Sequence, residues 1–321
     1  MMLLSRVADT LYWGARYLER AEDTCRLIRS YTDLVIDLPT TAVSSWEPLL
    51  AVAGDRSTFD AMHDETKEHD IVRFLVAESA NPGSVASSIA TARENLRTTR
   101  EVLPRDVWQA VNDLSLYTVA NVASGVDRRN RARFLHRVIA DCQRIDGAVS
   151  TLMTRDDAYE VWQLGRSLER ADMTARVVGV RAAALVESER SAAAQKSEIY
   201  EDVQWMGLLK SVNALQMYQR ATRGPIEAHK AVGFLLRDTM FPRSVAACLG
   251  AIRRSLETLP RPELTLPSVE RLDTLLAAVP VGEALDASTA GEELDEAMDH
   301  VLLGLGAVHD AVASTLFHPG H

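Results

Sequence analysis

The chain has 321 residues, 47% hydrophobic and 25% charged, enough apolar material for a large core and far from the composition of a disordered chain. Asp and Glu outnumber Lys and Arg by 45 to 35, a formal net charge of −10, which repels phosphate backbones and argues against nucleic acid as a partner. No apolar run approaches the ~20 residues of a membrane span, and Met1–Thr10 lacks a signal peptide's charged start and greasy core, so a cytoplasmic protein away from membranes is expected.

Taken in chain order, the pattern is helical throughout. Apolar residues recur at spacings of three and four. In the first segment, Leu11, Leu18, Ala21, Cys25 and Ile28 share one side, while Arg16, Glu19, Asp23 and Arg26 share the other with Arg20 and Glu22 beside them. Leu34–Leu38 is the nearest approach to a strand and reads equally well as the end of that helix before Pro39. Asn81-Pro82-Gly83, Pro104, Gly125, Gly224-Pro225, Pro242, Pro260, Pro262, Pro267 and Gly282 mark helix boundaries. Pro82 and Pro242 suit a first helical position. Thr154-Arg-Asp-Asp157 resembles a capping box opening a further helix.

Several segments occur twice. RYLERAEDTCR at 16–26 returns as RSLERADMTAR at 166–176, keeping Arg16, Glu19, Arg20, Thr24 and Arg26 as Arg166, Glu169, Arg170, Thr174 and Arg176, with Asp172 at the place of Glu22. Trp46-x-x-Leu49-Leu50 returns as Trp205-x-x-Leu208-Leu209, and Pro82-x-Ser84-Val85-Ala86 as Pro242-x-Ser244-Val245-Ala246. Phe74-Leu75, Arg93, Asp146 and Ser150-Thr151-Leu152 have counterparts at Phe234-Leu235, Arg253, Asp310 and Ser314-Thr315-Leu316, in the same order. The expectation is an all-α protein of two homologous helical-bundle repeats, 1–154 and 155–321, related by a pseudo-twofold and sharing one core. Such a period is far too long for a solenoid.

A solvated helix face tolerates Arg, Lys, Gln or Glu interchangeably, so keeping Arg and Glu in both places points to geometry. Arg's planar fork holds a carboxylate or phosphate by two points, which Lys cannot imitate. The two Glu-Arg helices are expected to face one another in a partly buried cluster of Arg16, Glu19, Arg20, Asp23, Arg26, Arg166, Glu169, Arg170, Asp172 and Arg176. That cluster is either a structural lock or a site for an anionic group. A separate anion site at the starts of the Pro-x-Ser-Val-Ala helices would use Ser84 and Ser244 with Arg93, Arg243 and Arg253, against the plainer reading that the serines are caps.

Other chemistry is sparse. Cys25, Cys142 and Cys248 are odd in number, far apart and set in apolar stretches, as buried thiols would be. Glu65/His69 and Glu296/His300 are four apart, without the Glu-x-x-His pairs of di-iron bundles, so no metal is assigned. No nucleotide, hydrolase or zinc motif occurs, and no cofactor is expected.

The stretch from Met2 through Trp13 into Arg16–Arg26, Asn81-Pro82-x-Ser84 with Ala92-Arg-Glu-Asn95, Leu164–Arg176, and Phe241-Pro-Arg-Ser-Val245 together resemble the bacterial Alpha-E family, over nearly the whole chain. The resemblance implies an all-helical companion of circularly permuted ATP-grasp ligases and of transglutaminase-like peptidases, in systems that make or modify peptides or amides. The chain would then be an accessory subunit that holds a carboxylate or acyl phosphate or docks the ligase, with a homo-oligomer open. The alternatives are an enzyme using Glu19 or Glu169 as acid or base, and a purely structural scaffold. The family pattern also leads one to expect a bulkier apolar residue near Gly14.

Overall fold

In a computed structural model, which describes residues 3–37, 45–190, 201–282 and 290–317, the described residues are helical with no strand. The helices are α1 (Ser5–Asp37), α2 (Glu47–Ala53), α3 (Arg56–Asp60), α4 (Glu68–Val76), α5 (Val85–Arg97), α6 (Arg105–Val126) and α7 (Arg131–Leu152). They continue as α8 (Asp157–Arg190), α9 (Glu201–Ser211), α10 (Leu215–Thr222), α11 (Ala228–Arg237), α12 (Val245–Thr258), α13 (Pro262–Ala278) and α14 (Ala290–Val312), followed by a π turn, Ala313–Phe317.

The two longest helices, α1 and α8, pack on each other at the centre. Around them, α1 also meets α5, α7 and α9, and α8 meets α12, α14 and α2. Two sites of close approach set this arrangement. A Cβ on Gly165 of α8 would lie 2.4 Å from the Tyr12 carbonyl oxygen of α1, so only glycine lets the two backbones meet there. One on Gly14 would lie 2.7 Å from Leu96 Cδ2 of α5. The bulkier residue expected near Gly14 is therefore excluded because Leu96 fills that space.

Leu34–Asp37 belongs to α1, which disposes of the strand alternative, while Leu38 lies outside the described residues. Pro82 and Pro242 are not first helical residues. Each sits inside a turn closed by Ser84 N–H to Asn81 C=O and by Ser244 N–H to Phe241 C=O, both 3.0 Å, a place where proline's fixed φ also fits. The serines follow as N-caps: Ser84 Oγ accepts from Ser87 N at 3.2 Å, and Ser244 Oγ from Ala247 N at 3.1 Å. The cap of α8 is Asp156, within the expected box, accepting from Ala158 and Tyr159 N–H. Pro267, read as a boundary, lies inside α13.

Cys25, Cys142 and Cys248 are free, buried thiols. Burial pushes Cys248 up to about 12, which keeps it protonated and unreactive. The last helix departs from one expectation: Gly291–Phe317 is long and apolar enough to cross a membrane by length and composition. Its Leu294, Met298, Val301, Leu305, Val308 and Val312 are buried along one face, and the helix packs on α8 and α13. Interleaved charges such as Glu293, Asp299 and Asp310 hide the run from a search for continuous apolar sequence.

Candidate functional site

The charged face of α1 does not face water. From Leu18 to Ile28 nearly every residue is buried, including Glu19, Glu22, Asp23 and Arg26. Helix α1 is thus apolar on one side and charged on the other, and both sides are enclosed. What receives the charges is mainly α8 and the turn before α12.

The Glu-Arg pairs are exchanged between the helices. Arg20 of α1 donates Nε to Glu169 Oε1 at 2.5 Å and Nη2 to Oε2 at 3.1 Å. Reciprocally, Arg170 of α8 donates Nε to Glu19 Oε1 at 2.7 Å and Nη2 to Oε2 at 2.9 Å. Both are forked contacts in which two N–H groups meet two carboxylate oxygens. With Glu169 only 2% and Glu19 only 4% exposed, neither carboxylate has water to fall back on.

Each Glu takes one further guanidinium, and here the two sides differ. Glu169 receives Arg16 Nε at 2.7 Å. Glu19 receives Arg243 Nη2 at 2.9 Å, from the turn before α12. Arg243 also donates Nη1 to Asp23 Oδ1 at 2.5 Å and Nη2 to Glu22 Oε1 at 3.3 Å, so one guanidinium bridges three carboxylates of α1. Its backbone carbonyl accepts from Thr174 Oγ1 of α8 at 2.8 Å, which fixes the turn. Arg166 is directed instead to Asp146, with Nη2 donating to Gln163 Oε1 at 2.8 Å. Arg26 pairs with Glu22 in the interior at 2.6 Å, and Arg176 with Asp172 nearer the surface, also at 2.6 Å.

The electrostatics follow the wiring. Burial raises Glu19, but Arg170 and Arg243 more than offset it and bring the carboxyl to about 2. Glu169 is buried against the same penalty and is likewise lowered, by Arg16 and Arg20. Both stay ionised at neutral pH, so neither has a proton to give as a general acid, and a lowered proton affinity makes each a weak general base for the enzymatic alternative. Asp23 behaves oppositely: burial, reinforced by Glu19 and Glu22 and only partly countered by Arg243, lifts it to about 7. Its Oδ2 has no hydrogen-bond partner.

The expected anion site at the helix starts is not assembled. Ser84 and Ser244 are spent on capping, Arg93 donates to Asn112 Oδ1 at 2.9 Å, Arg253 pairs with Asp273, and Arg243 turns into the acidic face of α1. His69 lies beside Asp70, with Nδ1 to Oδ1 at 3.3 Å.

An opening remains on the Glu169 side. A recess of about 250 Å³ is lined by Arg20, Gly83, Glu169, Asp172, Met173 and Arg176, with the end of α2 across from them. A larger concavity, about 800 Å³, is an open groove between the α4 and α6 regions, rimmed by Glu68, Arg73 and Arg131, and touches neither Glu-Arg helix. The smaller recess is the one that adjoins the cluster. Sequence reasoning overlooked Gly83 and Met173. Their signal is a contrast, because the two Pro-x-Ser turns carry Gly83 and Arg243, and the two Glu-Arg helices carry Met173 and Asp23.

Residues 3–317 match the Alpha-E family, described as a predicted alpha-helical domain with a conserved ER motif. The chain belongs to the Alpha-E family. Among curated proteins it is similar to two uncharacterized proteins of Mycobacterium tuberculosis and one of Mycobacterium bovis, each 23% identical over 97% of this chain. It spans about a third of their length, 36% of each. No solved structure matches. Two Glu-Arg dipeptides of this chain, Glu19-Arg20 and Glu169-Arg170, make the exchanged contacts Arg20–Glu169 and Arg170–Glu19.

Proposed function

We propose that this Alpha-E chain is a non-catalytic binding subunit of an amide- or peptide-forming system, working beside a circularly permuted ATP-grasp ligase. The observation that carries the reading is the recess next to the Glu-Arg cluster. Arg20 and Arg176 line it with side chains 26% and 44% exposed, whereas Glu19 is enclosed and Glu169 reaches it with only 3% of its side chain, both glutamates ionised. Partly exposed guanidiniums can hold a carboxylate or acyl phosphate by two-point contact, and buried, ion-paired glutamates serve as a brace. The relatives' greater length is compatible with a domain that works joined to others. A transglutaminase-like peptidase is a second partner on the same reading.

The architecture proposed with it is two copies, 1–154 and 155–321, about a pseudo-twofold between α1 and α8. Supporting this, each long helix packs on the fifth and seventh helix of its own half and on the second helix of the other. The exchanged Arg–Glu pairs have the same relation.

Co-expression with a circularly permuted ATP-grasp ligase tests the function. A stable complex whose amide-forming activity needs this chain, and falls when Arg20 and Arg176 are replaced by Gln, is the expected result. A ligase that is fully active alone and does not co-purify with the chain refutes it.

A further inference from the structure

The two sides of the cluster differ by a matched pair of replacements. Where one side has Arg243 in its Pro-x-Ser turn and Asp23 on its Glu-Arg helix, the other has Gly83 and Met173. Arg243 meets Glu19, Glu22 and Asp23 at once. Their positional counterparts, Glu169, Asp172, Met173 and Gly83, all line the recess. The recess is therefore the space that a guanidinium fills on the other side.

The geometry points to a guanidinium-binding subsite in this recess, in which a ligand's planar cation takes the position that Arg243 holds opposite, against Glu169 and Asp172, which it shares with Arg16, Arg20 and Arg176. The inference rests on the two-copy correspondence proposed above and is independent of the ligase partner. Size agrees: about 250 Å³ falls below the roughly 300–1,000 Å³ of sites for drug-sized molecules, and suits one side-chain-sized group. Access agrees as well, since Asp172 is 20% exposed where Glu22 is only 6%. Met173 supplies an apolar wall for the ligand's stem in place of the third carboxylate. The turn is less tied down here: Thr174 binds the Arg243 carbonyl, but the matching Thr24 Oγ1 is buried with no hydrogen-bond partner.

Gly83 also shows how the internal cation is withheld. A Cβ at position 83 would find Asn81 Oδ1 at 3.2 Å, the Ala53 carbonyl oxygen at 3.7 Å and Arg20 Cδ at 3.9 Å. No backbone atom blocks it, so the turn could carry a side chain directed at the recess.

Calorimetric titration of the full chain with agmatine tests the inference. Agmatine should bind one to one, and tetramethylammonium, a cation without N–H donors, should not. Gly83→Arg should abolish the binding by placing a tethered guanidinium in the recess, and Asp172→Asn should weaken it by about tenfold, the loss of one charge-assisted hydrogen bond. Met173→Asp, which restores the third carboxylate, should strengthen it by a similar factor. Should Gly83→Arg fold poorly, the opposed effects at 172 and 173 still decide the matter. No agmatine binding at millimolar concentration, equal binding of tetramethylammonium, or indifference to changes at both 172 and 173 overturns the subsite. L-Arginine binding no tighter than agmatine would remove the carboxylate reading of Arg20 and Arg176 and leave the cation subsite standing. N-acetyl-L-arginine amide binding as well as agmatine would identify the natural source as a polypeptide side chain, and its exclusion a free small molecule; either supports the subsite.

Discussion

Replacing Arg243 by Met keeps most of the side chain's volume and removes its charge, leaving three carboxylates of α1 without their shared cation. Glu19 retains its forked contact with Arg170, and Glu22 retains Arg26. Asp23 is left with no cation within bonding distance, because Arg243 is its sole ion-pair partner among the described residues. Breaking a buried pair from one side costs about 3–5 kcal/mol. At roughly 2.1 cal/mol/K of unfolding entropy per residue, 321 residues give about 0.7 kcal/mol/K, and the melting temperature should fall by roughly 4–8 °C. The loss should depend on pH. Asp23 is already lifted to about 7 with Arg243 present, and it rises further without it. At pH 5 the group carries its proton in both proteins, and the variant's deficit is smaller. At pH 8 the wild type holds an ionised, paired Asp23, while the variant must bury it bare or take up a proton. Thermal unfolding followed by circular dichroism at pH 5 and pH 8 measures both effects. A drop below about 2 °C, or the same drop at both pH values, would refute the bridging role assigned to Arg243.

Further outcomes follow from the same wiring. Glu19→Gln and Glu169→Gln should each lower the urea midpoint, the first by stranding Arg170 while Arg243 keeps Asp23 and Glu22, the second by stranding Arg16 while Arg20 can relax into the recess; an unchanged midpoint for either would refute the wiring. With Asp23 raised from an unfolded value near 4 to about 7, its contribution is complete below the unfolded value and is lost as pH rises through about 7; Asp23→Asn should abolish that downward slope. Glu19, lowered from 4.5 to about 2, gives the opposite sign: its contribution of about 3 kcal/mol is present above 4.5 and disappears as pH falls through 2, a loss that Glu19→Gln should erase in acid titrations. Gly165→Ala should lower stability by about 1–3 kcal/mol, because its methyl group would meet the Tyr12 carbonyl; an unchanged melting temperature would show that α1 and α8 can separate there at no cost.

The helices were legible because periodicity survives in a single strand of text: Leu11, Leu18, Ala21, Cys25 and Ile28 are all buried as their spacing predicts. Their ends were less so. Pro82 suits a helix start and a turn equally well by residue type, and only the Ser84 to Asn81 hydrogen bond separates the two. The facing of Arg20 and Arg170 onto the opposite helix's Glu could be anticipated from the recurrence of the motif. Asp23 belongs to the partly buried cluster expected from the sequence, but that Glu22 joins it in the interior could not be anticipated, because an acidic residue on a helix reads as solvated until its partner is known. For Asp23 that partner is Arg243, more than two hundred positions away and in a turn whose serine drew attention instead. The recess was invisible for a related reason: it is marked by glycine and methionine, residue types with no ionisable group to notice.

An exchange in which each helix gives an arginine and receives one at a glutamate is self-complementary, so two identical helices could make it as a symmetric dimer. In a dimer of identical subunits every substitution appears on both sides at once, and a plug such as Arg243 would close both recesses or neither. Placing both helices in one chain releases that constraint. One side can be given over to holding the molecule together while the other stays open, and on the proposed two-copy correspondence the pair Arg243/Asp23 against Gly83/Met173 would be that division of labour written into four residues.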